Sequence, residues 1–307
     1  MERFREQLAY LRDNDYHVIP LAELVENLEN GRPLPAKSVV ITIDDGYKSV
    51  YHKAWPILKS FGFPFTVFLY VKATENKHWD YMTWEQVREL EKAGVDFQDH
   101  GYGHGRLANQ PAAMSDKEYR DWLRSDMVKS RTLLAERLGK EPRVYSIPYG
   151  EYNRTVITVA KELGYGAAMT QDPGSVSDRT DPFLIPREPI LGNDWATMEH
   201  FRDILQRVDL PLTGREPDIE KISGNDPPAR FAARLLFPER YLPETIGIYV
   251  SELGWRQAAV RNDVVSIENS SKLKRRLNRV AVSAREKTGR TAIRFWLLVN
   301  QDIVPDK

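Results

Sequence analysis

Five consecutive apolar or β-branched residues, Val39-Val40-Ile41-Thr42-Ile43, stop at Asp44-Asp45-Gly46-Tyr47. Such a run suits a strand buried in a parallel sheet, and it delivers two carboxylates at its C-terminal end. Further on, His100-Gly101-Tyr102-Gly103-His104 sets two imidazoles four positions apart with glycines between them. The glycines disfavour a helix, so the histidines are expected to converge from a loop. One carboxylate and two imidazoles make a facial ligand set for a divalent metal, with positions left for water and substrate. The second carboxylate is then free to act as a base. Singly, Asp-Asp-Gly reads as an ordinary strand exit, and His-x3-His reads equally well as a metal site or as coincidence. Together, each after a strand-like run, they favour chemistry.

The pattern up to residue 210 alternates helix and strand. Helices are expected over 3–13, Leu21–Glu29, Tyr51–Ser60, Trp84–Ala93 after a Thr83 cap, Ser115–Leu138, Thr155–Leu163 and Met198–Gln206. Strands are expected at His17–Leu21, Val39–Asp44, Phe65–Val71, Val95–Asp99, Val144–Ile147, Gly166–Thr170 and Leu184–Ile185. Alternation of this kind implies an α/β fold with a mainly parallel sheet. In barrels of that type reactive groups collect at the C-terminal ends of strands. Residues 211–229, rich in Pro, Gly, Asp and Glu, read as a linker. Residues 230–307 change to short strands, Arg230–Phe237, Ile246–Val250, Val264–Ile267, Arg279–Arg285 and Ala292–Val299, which imply a small antiparallel β-sandwich folding separately. The last strand is expected to set Ile293, Phe295, Leu297 and Val299 on one face. The basic run Lys272-Leu273-Lys274-Arg275-Arg276 reads as a solvated turn, and Trp255 and Trp296 as core packing.

At its motifs the chain resembles the polysaccharide deacetylases with a NodB homology domain, and most of all the biofilm poly-β-1,6-N-acetyl-D-glucosamine N-deacetylases. The resemblance runs from about Phe4 to about Leu205. It is carried by Thr42-Ile43-Asp44-Asp45-Gly46-Tyr47, by His100 and His104, by Ser146-Ile147-Pro148-Tyr149-Gly150-Glu151-Tyr152-Asn153, and by Arg187 in Ile185-Pro186-Arg187-Glu188-Pro189. It implies a distorted (β/α) barrel for residues 1–210. It further implies that Asp45, His100 and His104 hold one divalent metal, zinc favoured over cobalt, nickel or iron. Asp44 would be the general base, held ionised by Arg187. The Tyr149 N–H would stabilise the oxyanion, and Pro148, Tyr149 and Gly150 would line the substrate groove. Asp99 stands where the family has a small serine, which brings a third carboxylate toward the metal. The family's general-acid histidine belongs on a strand before the helix that corresponds to Phe4–Asn14, and the chain begins directly in that helix. His200 is a weak substitute, read as an exposed histidine. An open seam beside the strand His17–Leu21 is a further expectation.

Composition narrows the partners. Formal net charge is zero over 307 residues, which argues against a polyanion such as nucleic acid and suits a neutral polymer. Cysteine is absent, so neither disulfides nor thiolate ligands enter. There is no apolar run of membrane-spanning length, and Met1-Glu2-Arg3-Phe4-Arg5 does not read as a signal peptide. The resemblance nonetheless implies an extracytoplasmic protein. The leading expectation is a metal-dependent N-deacetylase on an N-acetylglucosamine polymer. A glycan-binding relative with little turnover and an acetyl esterase on acetylated xylan are the alternatives.

Overall fold

The computed structural model describes residues 1–303. Its helices are α1 (Glu2–Asp13), α2 (Leu21–Glu29), α3 (Trp55–Phe61), α4 (Val71–Glu75), α5 (Trp84–Lys92), α6 (Asp116–Leu138), α7 (Arg154–Glu162) and α8 (Met198–Gln206). Its first strands are β1 (His17–Val18), β2 (Ser38–Val39), β3 (Thr42–Ile43), β4 (Thr66–Leu69), β5 (Asp96–Asp99), β6 (Val144–Ser146) and β7 (Ala167–Met169). Strands β3 to β7 form a parallel sheet in sequence order, a curled half-barrel, and a parallel bridge from Met169 to Ile185 extends its far edge.

Local sequence explains the frame. Thr83 and Ser115 each close a capping box, with Gln86 and Glu118 respectively, so α5 and α6 start where the expected caps put them. Helix α6 buries Tyr119, Leu123, Met127, Ser130 and Leu134, one stripe at helical spacing. Gly139 in the left-handed region ends it.

The run at Val39–Asp44 differs from expectation. It is not one buried strand: β2 pairs only with β1, β3 pairs only with β4, and Val39 to Asp45 are half-buried throughout. An apolar, β-branched run fixes extended backbone but not its partner, and here two sheets divide it. Strand β3 is therefore the near edge of the five-stranded sheet.

The C-terminal strands are β8 (Val208–Asp209), β9 (Leu212–Glu216), β10 (Lys221–Ile222), β11 (Arg230–Leu235), β12 (Gly247–Val250), β13 (Gly254–Gln257), β14 (Ala259–Arg261), β15 (Val264–Glu268), β16 (Leu277–Arg285) and β17 (Thr291–Asn300). One sheet runs β10-β17-β16-β12-β13, with β8 also on β17, and the other runs β14-β15-β11-β9. Strands β9 and β10 lie inside the stretch read as linker. Its polar composition hid them because each is short and leans on a longer neighbour.

Strand β17 is buried on both faces: Ala292, Ile293, Trp296, Leu297, Leu298 and Val299 are all core. One contiguous apolar cluster joins Tyr145, Ile147, Tyr152 and Val156 of the barrel to Phe231, Val265, Trp296 and Leu297 of the sheets. Trp296 packs as expected and donates its Nε1–H to the Pro217 carbonyl at 2.9 Å. Trp255 does not. It is 53% exposed, set beside Tyr249 across the strand pair. The basic run is not simply solvated either, since Leu273 is buried and Arg276 points inward.

Candidate active site

All the motif residues gather at the C-terminal end of the half-barrel. Asp44 and Asp45 follow β3, His100 and His104 follow β5, Pro148 to Gly150 follow β6, and Arg187 follows the Ile185 bridge. Asp45, His100 and His104 converge. His104 Nε2 is 3.1 Å and His100 Nε2 3.5 Å from Asp45 Oδ1, and the two Nε2 atoms are 3.2 Å apart. Among the described residues these three form the group of His and acidic side chains whose donor atoms fall close enough together to hold an ion. The donor set fits a divalent metal. His100 Nδ1 lies 2.8 Å from the Ser146 carbonyl, which fixes the proton there and leaves Nε2 with a free lone pair. Burial lowers the His100 pKa against the pull of Asp44, favouring the neutral imidazole a metal needs.

Asp44 stands beside this group with its oxygens turned to Arg187. The guanidinium donates from Nη1 to Oδ1 at 2.7 Å and from Nη2 to Oδ2 at 2.8 Å, a bidentate pair. Burial pushes the Asp44 carboxyl up. The Arg187 charge, His100 and hydrogen bonds from Arg187 and Ser146 outweigh it and hold the group well below the usual carboxylate range. Arg187 is itself aimed by the Thr170 carbonyl, which accepts from Nε at 2.9 Å, and by Ser146 Oγ at 2.9 Å.

Three of these residues have strained backbones. Asp45, His104 and Tyr149 sit at φ 73°, 50° and 58°, in the left-handed region that non-glycine residues avoid. Gly150 follows at φ 62°, and a Cβ there would lie 2.7 Å from the Gln171 backbone nitrogen, so the Tyr149 turn closes only on glycine.

Aromatic rings wall the site. Tyr149 and Tyr70 lie 4.6 and 5.1 Å from the His104 ring, and Tyr81 packs between Tyr70 and Tyr47 at 5.7 and 4.5 Å. Tyr149 is 41% and Tyr47 36% exposed, so the wall faces solvent.

Sequence reasoning missed Tyr70, Tyr81 and Asp126. Asp126, in the middle of α6, accepts the Tyr102 and Gly103 N–H groups at 3.0 and 2.7 Å and so shapes the histidine loop. Nothing local distinguishes it from a surface acid. Asp99 does not approach the metal group. It is fully buried, accepting from Ser130, Tyr165 and the Gly101 N–H at 2.5, 2.5 and 2.7 Å, with burial pushing it up to about 6 despite those bonds. His200 is half-buried on α8, capped by Thr197 and 5.6 Å from the Trp195 ring, outside the group.

Residues 31–168 match the profile of the polysaccharide deacetylase family. The poly-β-1,6-N-acetyl-D-glucosamine N-deacetylase of Escherichia coli K12 is 32% identical over 222 residues, covering 62% of this chain and 33% of the relative. The chain thus spans about a third of that protein's length. The Staphylococcus aureus MRSA252 enzyme of the same name is 26% identical, covering 67% of this chain and 70% of its own. Among solved structures, IcaB from Ammonifex degensii superposes with TM-score 0.57 at 26% identity over 63% of this chain and 85% of that one. The BpsB deacetylase domain from Bordetella bronchiseptica gives 0.54 at 27% identity over 58% and 81%.

Proposed function

We propose that this chain is a polysaccharide deacetylase, a metal-dependent N-deacetylase acting on a polymer of N-acetylglucosamine, with the β-1,6-linked polymer favoured. The observation that carries this is the pairing of an Asp-His-His donor set with a separate carboxylate clamped by arginine, all under an aromatic wall. In this reading Asp45, His100 and His104 hold the ion. When bound, a divalent ion there supplies Lewis acidity for the acetyl carbonyl and acidifies the attacking water. Zinc suits two imidazoles and a carboxylate; cobalt, nickel and iron suit them too.

The protein's own groups divide the remaining labour. Asp44, kept ionised by Arg187, takes the proton of the attacking water. Its bidentate clamp fixes the carboxylate plane, so its orientation needs no adjustment during the reaction. The Tyr149 N–H, carried on the strained turn between Pro148 and Gly150, is the donor for the developing oxyanion. Tyr149, Tyr70, Tyr81 and Tyr47 offer faces for pyranose rings, and Pro148 and Gly150 close the groove beneath them. No helix among the described residues is long and apolar enough to cross a membrane. The resemblance to the biofilm deacetylases supports a location outside the cytoplasm.

The test is one preparation, metal-loaded, assayed on an N-acetylglucosamine oligomer and on a small acetyl ester. Release of acetate from the oligomer supports the proposal. Turnover of the ester alone makes the chain an esterase, and binding without turnover of either makes it a glycan-binding relative.

A further inference from the structure

The C-terminal sheets meet the barrel through two arginines three positions apart, and each reaches a carboxylate buried beside a catalytic segment. Arg279 Nε donates to Asp172 Oδ1 at 3.2 Å. Asp172 is 3% exposed and also accepts from the Tyr152 hydroxyl, whose oxygen accepts the Leu297 N–H of β17 at 3.1 Å. The Asp172 carbonyl in turn accepts the Arg187 N–H at 3.0 Å. The segment Thr170–Asp172 that aims Arg187 at Asp44 is therefore fastened from behind by the sheet.

The second arginine does the same for the Tyr149 turn. Arg276 Nη2 lies 2.5 Å from Glu151 Oε2, an ion pair rather than a directed hydrogen bond. Glu151 is 1% exposed, and its other oxygen accepts from Arg106 Nη1. Arg106 lies over the Tyr149 ring, 4.3 Å from its centroid. Glu151 is two residues beyond Tyr149 and Arg106 two beyond His104. The clamp thus ties the oxyanion turn to the histidine loop, with Arg276 as its inner anchor.

A carboxylate without water needs a cation, or it shifts its pKa and neutralises. Barrel and sheets are therefore matched charge for charge at this seam. We propose that the C-terminal sheets brace the active site from behind, with Arg279 and Arg276 as positioning residues for Arg187 and Tyr149. Neither touches substrate. The inference rests on the reading of Asp44 as base and Tyr149 as oxyanion donor.

The test compares kcat and KM of the full metal-loaded chain with Arg276→Met, Arg279→Met, Arg279→Lys and Arg106→Met on the small acetyl ester and the oligomer. Arg290→Met, which breaks the pair of the exposed Arg290 with Glu286 in the turn between β16 and β17, is the control. A misaligned reacting group costs about tenfold or more in rate, so the Met variants should lose roughly tenfold in kcat with KM on the ester within about twofold. Arg279→Lys, which keeps the charge, should lose about threefold. Arg106→Met combined with Arg276→Met should lose more than the two single losses multiplied together, because each single variant leaves Glu151 one cation and the double leaves it none. Arg106 is half-exposed, so its variant decides the Tyr149 arm even if a buried arginine cannot be removed without unfolding, and Arg279→Lys decides the other. Folded Arg106→Met and Arg279→Lys proteins with wild-type kcat would overturn the inference while leaving the proposed function standing. A metal-loaded wild type inactive on both substrates would sink both.

Discussion

Arg187→Met removes the guanidinium that holds Asp44 and leaves a carboxylate that is only one-fifth exposed. In the native protein the Asp44 pKa is depressed, so its stabilising contribution is present above the unfolded carboxylate range and is lost as pH falls through that range and below. In the variant burial is opposed only by His100 and Ser146, and the pKa moves upward. The sign of the linkage then reverses. A raised carboxyl contributes fully below its unfolded pKa and loses that contribution as pH rises through the folded one. Breaking a buried pair costs about 3–5 kcal/mol, and partial exposure of Asp44 reduces this to roughly 2–3 kcal/mol at pH 7–8. For a chain of this size that is a fall in Tm of about 3–5 °C. The gap between variant and wild type should stay level while Asp44 is ionised in both, then narrow toward pH 4 once pH falls through the variant's raised Asp44 pKa. Paired thermal melts across that range, on metal-free protein, measure it. Turnover of the ester should fall with the clamp, by about 10²-fold, and more at the acid end. A gap that stays constant with pH, or widens toward acid, would refute the account of how Arg187 and Asp44 depend on each other.

Other outcomes follow from the same geometry. Asp45→Ala should lose metal and activity together, whereas Asp44→Asn should retain metal and lose turnover; metal analysis of both purified variants decides, and equal metal loss would mean the two roles are wrongly divided. Gly150→Ala should cost about 1–3 kcal/mol and most of kcat, because its φ and the Gln171 backbone leave no room for a Cβ; chemical denaturation and ester kinetics read the two effects. A chain cut after Leu210 should be insoluble or melt far below the whole protein, since Tyr145, Tyr152 and Val156 share an apolar cluster with Trp296 and Leu297; a soluble, metal-binding fragment would show the barrel to be self-sufficient.

What was legible in the sequence was what is encoded locally. Thr83 and Ser115 announce their helices because a cap needs only the next three residues. The motifs were legible because parallel strands deliver their last residues to one rim, so Asp44, His100, Tyr149 and Arg187 meet although long stretches of chain separate them. Pairing was not legible. Nothing in Val39-Val40-Ile41-Thr42-Ile43 says that two sheets share it. Nor does polar composition at Leu212–Glu216 and Lys221–Ile222 disclose strands that exist only beside β11 and β17. The same holds for residues that act on the site from a distance. Asp126, Glu151 and Asp172 look like ordinary acids until the fold turns each toward its partner.

Strand β17 has a consequence for how the protein comes into being. It is the last strand among the described residues, yet it receives β8 and β10, pairs with β16 along its length, and supplies the N–H that Tyr152 accepts. A ribosome delivering about 5–20 residues per second therefore leaves the apolar flank of α6, β6 and α7 uncovered for several seconds or longer after those elements have emerged. Contacts that span so much chain also close slowly once all parts are present. The nascent protein thus passes through a stage in which its half-barrel is formed but its seam is bare, and chaperone binding during synthesis should concentrate on that flank.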